Sequence, residues 1–170
     1  MASVMEFLPK LLALEGGFVN DPLDKGGATN MGISLGAWRQ MGYDKDGDGD
    51  LDKEDIRMLD KEDVEMVLKK FYWDRWRADE IRDQKLADML VDWLWCSGKW
   101  GIVIPQRLLS IDDDGIAGCN TITAVNAFVP GKFLISVYNA RLAFIRAIVR
   151  RDFRQQRFAK GWINRVNSLL

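Results

Sequence analysis

Apolar residues recur every three or four positions along most of the chain, which is the spacing of amphipathic helices. The first such segment follows Ser3 and Glu6, which fit a helix-capping box, and it ends at Gly16 and Gly17. Because proline disrupts helix interiors, Pro9 predicts that this helix kinks or begins later. The same spacing predicts a short helix after Ser34, one from Asp60, others over 85–97, 103–110, 119–128 and 132–152, and a last one carrying Phe158, Trp162, Val166 and Leu169.

Residues 18–33 interrupt the helical pattern. They are rich in glycine, asparagine, aspartate and proline, which favours turns with a short hairpin ending at Met31-Gly32-Ile33. A second interruption, residues 44–55, is acidic and contains two glycines. The chain is therefore predicted to be mainly α, with a small β element near residues 18–33.

The 170 residues contain no histidine. This excludes Ser–His–Asp and Cys–His catalysis and histidine-rich zinc sites, and with them the amidases and peptidases built on such sites. A glycosidase remains possible because its chemistry needs only carboxylates. Cys96 lies in an apolar run, so we expect a free buried thiol, with a disulfide to Cys119 as the alternative.

Charge is unevenly distributed although the formal net charge is only −1. After residue 131, basic residues far outnumber the single acid Asp152, which is typical of the solvated face of a terminal helix and also suits an anionic polymer. The acidic middle of the chain argues against nucleic-acid binding. No apolar run is long enough to span a membrane, no signal peptide is recognisable at the first residues, and we expect a monomer.

Glu15 is placed unusually, between Leu14 and two glycines at the predicted end of the first helix. The negative end of the helix dipole and the apolar neighbours both favour the protonated form of a carboxyl group here. A glycosidase general acid needs that form, and Gly16 and Gly17 leave room for a substrate. The alternative is an exposed glutamate at a frayed helix end.

Two further polar residues follow in the turn region. Asp24 could serve as the second carboxylate that glycoside hydrolysis usually requires, and Thr29 could position water, although each is also typical of ordinary turns. Glu15, Asp24 and Thr29 resemble the Glu–Asp–Thr arrangement of phage-type lysozymes, with an Asp-to-Thr gap that is one residue shorter.

A longer resemblance covers nearly the whole chain. Residues 15–22, Glu-Gly-Gly-Phe-Val-Asn-Asp-Pro, and residues 26–33, Gly-Gly-Ala-Thr-Asn-Met-Gly-Ile, resemble glycoside hydrolase family 108 of muramidases and endolysins. The resemblance continues through Trp73 and Trp93. It implies a lysozyme-like fold, Glu15 as the catalytic acid and cleavage of the β-1,4 bond between N-acetylmuramic acid and N-acetylglucosamine. It leaves Asp24 or Asp21 as the second carboxylate. For contacts with the sugar or with water we name Asn30, Asp21, Trp73 and Trp93.

The acidic loop from Asp44 to Asp55 fits an EF-hand calcium loop, with Gly49 at the sharp turn and Leu51 as its inward apolar residue. Carboxylates this close repel one another unless a cation or water separates them. The last ligand is an aspartate where an EF-hand has glutamate, as in dockerin-type loops. We predict a structural calcium ion, with a solvated acidic loop as the alternative. The expected ligands are Asp44, Asp46, Asp48, Asp50 and Asp55.

The C-terminal half contains Asp114-Gly115-Ile116-Ala117-Gly118-Cys119-Asn120-Thr121, which resembles a stretch of helical peptidoglycan-binding modules. We therefore predict a lysozyme-like domain over 1–95 with the inserted loop 44–55, and a peptidoglycan-binding region over 96–170. We expect Asn120 or Thr121 to cap the helix that follows.

The sequence as a whole favours a muramidase acting on the cell wall, delivered there by an unknown route. The alternative is a non-catalytic peptidoglycan-binding or secretion-associated protein with a structural calcium loop. A calcium-regulated interaction protein is disfavoured because the acidic loop is single.

Overall fold

The computed structural model describes residues 1–20 and 27–170. The chain divides into two compact units, one formed by Met1–Glu6 with Tyr72–Leu170 and the other by Phe7–Phe71. The predicted domain boundary between residues 95 and 96 stays a prediction.

Helices account for most of the described residues, so the prediction of a mainly α fold with a small β element is confirmed. A π-helical segment, Lys69–Trp73, follows the fourth α-helix, and 3-10 turns lie at Ala78–Glu80 and Phe153–Gln155. The α-helices are α1 (Val4–Leu14), α2 (Leu35–Met41), α3 (Lys53–Met58), α4 (Lys61–Leu68), α5 (Gln84–Ser97), α6 (Trp100–Leu108), α7 (Cys119–Ala127), α8 (Pro130–Arg151) and α9 (Gln156–Asn167).

Helix α1 begins at Val4 and continues through Pro9, so the expected late start is wrong. Proline removes one backbone donor, but Phe7, Leu8 and Leu11 on the opposite face are fully buried. Burial of a large apolar side chain contributes about 1.5–3 kcal/mol, which offsets a lost helical hydrogen bond. Pro9 itself is exposed.

The predicted hairpin consists of β1 (Thr29–Asn30) and β2 (Ile33–Ser34), paired antiparallel with Thr29 opposite Ser34 and Asn30 opposite Ile33. Both residues of its two-residue turn have positive φ, 48° at Met31 and 81° at Gly32. Two positive φ angles are the signature of a type I′ turn, whose twist suits two neighbouring strands.

Helices α2, α3 and α4 begin at side-chain caps. Ser34 caps α2 as expected, accepting a hydrogen bond from the Ala37 amide. Helix α3 was not predicted, although Asp52 and Asp55 form a reciprocal capping box at its start. Asp60 begins α4, where the sequence pattern placed it.

In the unit that contains α5, this helix supplies the centre of the core, with every residue from Leu86 to Leu94 buried. Helix α5 packs against α6 and α8, and α8 packs against α9. Cys96 and Cys119 are both exposed and form no disulfide, so the expected burial of Cys96 is wrong. Its side chain lies near the end of α5, beyond the last fully buried turn.

Gln106 organises the start of α7. Its amide oxygen accepts a hydrogen bond from Gly115, and its amide nitrogen donates to Asp114 at 2.8 Å and to the Thr121 hydroxyl at 3.2 Å. Residue 118, a glycine, is the N-cap of α7, so the expected cap at Asn120 or Thr121 is wrong. Thr121 is buried, and its hydroxyl accepts a hydrogen bond from Gln106 instead of capping the helix.

The basic C-terminal segment is mostly exposed, as expected of a solvated helix face, but Arg141 is only 3% exposed. No helix within residues 1–20 and 27–170 is both long enough and apolar enough to cross a membrane.

Candidate active site and acidic loop

Glu15 lies directly after the last residue of α1, and its backbone amide still donates to the Leu11 carbonyl at 3.1 Å. The residue is half-buried. Gly16 and Gly17, which follow it, are exposed, and a Cβ atom added to either would meet no other atom within 4 Å. The chain beside the carboxyl group is therefore open to a bulky ligand.

The Glu15 carboxyl group lies against the turn of the hairpin. A Cβ atom built on Gly32 would come within 2.5 Å of Glu15 Cδ, 2.6 Å of Oε2 and 2.9 Å of Oε1. Real Cβ atoms do not approach other atoms this closely, so any side chain at this position would displace the Glu15 carboxyl group from its present place. The Met31 amide also donates to the Gly16 carbonyl at 3.1 Å, which fixes the turn to the end of α1.

The hairpin positions two of the other predicted site residues. Thr29 is half-buried, and its backbone exchanges two hydrogen bonds of 2.8 Å with Val19. Asn30 is 6% exposed, and its side-chain nitrogen donates to the Ile56 carbonyl of α3 at 2.9 Å. Asn30 thus connects the strand to α3, and its predicted contact with water or sugar stays a prediction.

The candidates for the second carboxylate, Asp21 and Asp24, lie outside the described residues. The choice between them, and the role of each beside Glu15, therefore stay predictions from the sequence.

Two tryptophans were expected to contact substrate. Trp73 is fully buried, and its indole nitrogen donates to Asp79 at 2.7 Å, so the structure leaves it no surface for stacking on a sugar. We therefore correct that expectation for Trp73, because its ring fills the core. Trp93 is 1% exposed and lines a cavity.

The acidic loop is shaped by its own carboxylates. Asp44 accepts hydrogen bonds from the amides of Gly47 at 2.6 Å and Gly49 at 2.8 Å, and both glycines have positive φ. Asp46 accepts from the amide of Asp48 at 3.3 Å. Carboxylate oxygens lie within 4.8 Å of one another in two sets, Asp44, Asp46, Asp48 and Asp50, Asp52, Asp55.

Opposing effects act on the pKa values in this loop. Hydrogen bonding from the Gly49 amide lowers the pKa of Asp44. Burial raises the pKa of Asp46, with Asp48 among the neighbouring charges that add to it. The charge of Asp48 is the main cause that raises the pKa of Asp50. Crowding of like charges thus disfavours full ionisation of the loop, which a bound cation would relieve.

Asp55, the predicted last ligand, is 1% exposed and accepts two backbone hydrogen bonds. The Lys45 amide donates to Oδ1 at 2.6 Å and the Asp52 amide to Oδ2 at 2.7 Å. Both oxygens therefore hold the ends of the loop together.

Lys45 ties the loop to α4. Its ammonium group donates to Asp60 at 2.6 Å and also to Asp63, and these hydrogen bonds raise the pKa of Lys45 in spite of its desolvation. The same contact with Lys45 lowers the pKa of Asp60 to about 2. Tyr43 donates to Asp63 at 3.0 Å, a hydrogen bond that raises the pKa of the phenol.

Sequence reasoning missed three residues of these sites. Gly32 was noted only as part of a family motif, and its contact with Glu15 was not predicted. The two-residue turn Met31-Gly32 between short strands is nevertheless typical of a positive φ angle. Asp52 was omitted from the metal ligands, although it occupies the ninth position of the loop, which often contributes through water. Lys45 carried no recognisable signal, because its partners lie fifteen and eighteen residues further along the chain.

Comparisons with known proteins identify two sequence families along the chain. The sequence model of the family described as Glycosyl hydrolase 108 matches residues 8–98, and that described as Predicted Peptidoglycan domain matches residues 100–167. A search of curated proteins found no match.

Among solved structures, the chain resembles SagA of Brucella abortus, with 27% sequence identity and a TM-score of 0.79. The similarity covers 97% of this chain and 90% of SagA. The family match spans more than half of the chain. The chain therefore belongs to glycosyl hydrolase family 108 and carries a predicted peptidoglycan domain after its hydrolase region.

Proposed function

We propose that this protein is a muramidase, which hydrolyses the β-1,4 bond between N-acetylmuramic acid and N-acetylglucosamine with Glu15 as the general acid. The observation that carries the proposal is that Glu15 is half-buried and its carboxyl group lies against the side-chain-free Gly32, beside two exposed glycines. A carboxyl group held against a hairpin turn, beside open backbone, suits proton donation to a bulky substrate.

In the proposed reaction, Glu15 gives its proton to the glycosidic oxygen as the bond from that oxygen to the anomeric carbon breaks. The electron pair of the bond leaves with the oxygen, and positive charge develops on the sugar ring. Asp24, or Asp21 in its place, stabilises that charge or activates the water that completes the hydrolysis. Thr29 orients the water or the sugar from its place on β1.

Replacing Glu15 by glutamine tests this assignment, because the amide keeps the shape of the side chain but has no acidic proton to give. General acid catalysis contributes about 10²–10⁴-fold, so we expect lysis of purified peptidoglycan to fall by at least a hundredfold. The matched control is Glu6→Gln, which changes an exposed glutamate near the start of the same helix.

Unchanged lysis by Glu15→Gln, or an equal loss in Glu6→Gln, would contradict the role of Glu15. A wild-type protein that binds peptidoglycan and never cleaves it would support the alternative function, a binding or secretion-associated protein.

We also propose that the acidic loop from Asp44 to Asp55 holds a structural calcium ion. Calcium prefers oxygen ligands, and the loop offers two close sets of carboxylates and turns sharply at Gly49, which has a φ of 100°. Asp44, Asp46, Asp48, Asp50 and Asp55 are the residues we expect to hold the ion, with Asp52, which lies in the same set as Asp50 and Asp55, as a further ligand. The ion would neutralise the repulsion among these groups and contribute no step of the hydrolysis.

Calcium titration followed by thermal unfolding tests this proposal. A ligand that binds only the folded chain at 100 times its dissociation constant stabilises it by about 2.7 kcal/mol, and a chelator should reverse the rise in Tm. Asp46→Asn should weaken the response, whereas the control Asp112→Asn, at an exposed acid in another acidic run, should not. An unchanged Tm for the wild type at millimolar calcium would contradict the proposal.

A further inference from the structure

The unit that contains α5 has a partly open cavity of about 130 Å³ among α5, α8 and α9. Pockets that enclose a whole small ligand usually measure about 300 Å³ or more, so this cavity has room only for an end group. The residues that line it are Trp93, Cys96, Ser97, Arg141, Phe144, Ile145, Ile148, Trp162 and Arg165.

Two arginine side chains on this lining are held by one buried carboxylate. Asp92 is fully buried and accepts from Arg141 at 2.6 Å and from Arg165 at 2.7 Å. The side chain of Arg141 is 4% exposed and that of Arg165 is 15% exposed. Because Asp92 fixes both guanidinium groups, a ligand that contacts them need not order two long side chains, which lowers the entropic cost of binding.

Aromatic rings form another part of the lining. The ring of Trp93 meets Phe144 edge to face at 6.0 Å, and Trp162 stacks on Phe158 at 5.8 Å. The Trp93 indole nitrogen is buried and has no hydrogen-bond partner among the described residues. A buried donor without a partner destabilises the folded chain.

The polar side chains of the lining are chiefly donors, namely two guanidinium groups and the Ser97 hydroxyl, and the described lining residues include no carboxylate. We propose that this cavity binds the carboxylate end of a short peptide, with the apolar residues receiving its small aliphatic side chain. Arginine favours carboxylates over neutral sugar hydroxyls, and a hexose ring with its substituents exceeds the space.

The identity of the polymer that carries the peptide rests on the proposed function. Peptidoglycan bears short peptides with free carboxylates on its muramic acid residues, and the cavity lies mainly within the region matched by the peptidoglycan domain. The site would hold a peptide while the glycan is cleaved elsewhere on the chain.

Binding of N-acetyl-D-alanyl-D-alanine to the wild-type protein tests the proposal directly, compared with the same peptide as its C-terminal amide and with sodium acetate. Calorimetry should show at least tenfold weaker binding of the amide, and the acid should shift the Trp93 indole resonance in NMR spectra. Loss of a hydrogen bond to a charged group corresponds to about a tenfold or larger change in affinity. Equal affinity for acid and amide, or no binding of the acid at millimolar concentration, would overturn the proposal. Acetate binding as tightly as the peptide would show a general anion site and overturn it as well.

Arg165→Gln should weaken binding of the acid at least tenfold. The matched control is Arg154→Gln, which also removes one positive charge, from a side chain that is 88% exposed and lies outside the cavity lining. If circular dichroism shows that Arg165→Gln does not fold, Trp162→Leu takes its place. That substitution removes part of the cavity wall but leaves the ion pairs of Asp92 with both arginines intact, and it should show the same loss of affinity for the acid. An equal effect of Arg154→Gln would overturn the proposal.

These peptides contain no glycosidic bond, so the binding assay is independent of hydrolysis. A protein that binds the peptide acid but cleaves no glycan would refute the muramidase proposal and keep this one. A protein that cleaves glycan but binds the peptide acid and its amide equally would support the muramidase proposal and refute the peptide site.

Discussion

Gly32→Ala is the substitution that most sharply separates the effect of moving the Glu15 carboxyl group, the proposed general acid, from an effect on the stability of the fold. The added Cβ would lie 2.5 Å from Glu15 Cδ, whereas nonbonded carbon atoms rest at about 3.5–4.0 Å. The carboxyl group must therefore move by about 1 Å. A misplacement of about 1 Å can cost about a hundredfold in rate.

The same substitution also costs stability, because alanine is strained at the φ of 81° found at Gly32. Left-handed backbone costs about 1–2 kcal/mol for a residue with a side chain. Gly47→Ala carries a matching strain at a φ of 79°, and its Cβ would meet no atom within 4 Å. The pair thus shares the backbone cost and differs in the contact with Glu15.

Both variants should unfold at similarly reduced temperatures, by about 2–4 °C for each kcal/mol in a chain of this size. Turnover of soluble glycan fragments, measured by release of reducing ends at saturating calcium, should fall about a hundredfold in Gly32→Ala and stay near the wild-type rate in Gly47→Ala. Wild-type turnover in Gly32→Ala would refute the reasoning, and so would an equal fall in both variants.

Two further predictions concern the supports of the site. Asp60→Asn should reduce the loss of stability on acidification, measured as the difference in the free energy of unfolding by urea between pH 7 and pH 3. Lys45 lowers the pKa of Asp60 from 3.8 to about 2. The ion pair therefore stabilises the fold above about pH 4, and this contribution is lost as the pH falls through 2. Asparagine can still cap α4, so an unchanged pH dependence would show that the ion pair contributes nothing. Asn30→Asp should destabilise the protein by about 1–3 kcal/mol, because the Ile56 carbonyl loses its hydrogen-bond donor and faces a carboxylate. The control Asn139→Asp, on an exposed helix face, should change the free energy of unfolding little. Equal effects of the two substitutions in urea unfolding would contradict the role given to Asn30.

The periodic pattern predicted most helices because each of them buries one apolar face. The spacing of apolar residues along the sequence therefore corresponds directly to the buried face of the folded helix. Helix α3 was missed because its six residues provide less than two turns of periodicity. Its start was nevertheless encoded in the capping pair Asp52 and Asp55.

The site was predicted less completely, since its geometry depends on contacts that are distant in sequence. The sequence indicated Glu15 through its placement, but the approach of Gly32 to its carboxyl group arises only when the hairpin folds against α1. Arg141 was assigned to a solvated face because basic residues predominate after residue 131, and its partner Asp92 lies 49 residues earlier. Burial of Trp73 was likewise decided by packing and not by its motif.

Mass analysis of purified peptidoglycan after digestion tests the central claim most directly, because the sugar left at the reducing end identifies the bond that was cut. Wild-type protein should release fragments that end in reducing N-acetylmuramic acid, and Glu15→Gln should release at least about a hundredfold less of them. Fragments that end in reducing N-acetylglucosamine, or an equal yield from both proteins, would contradict the account.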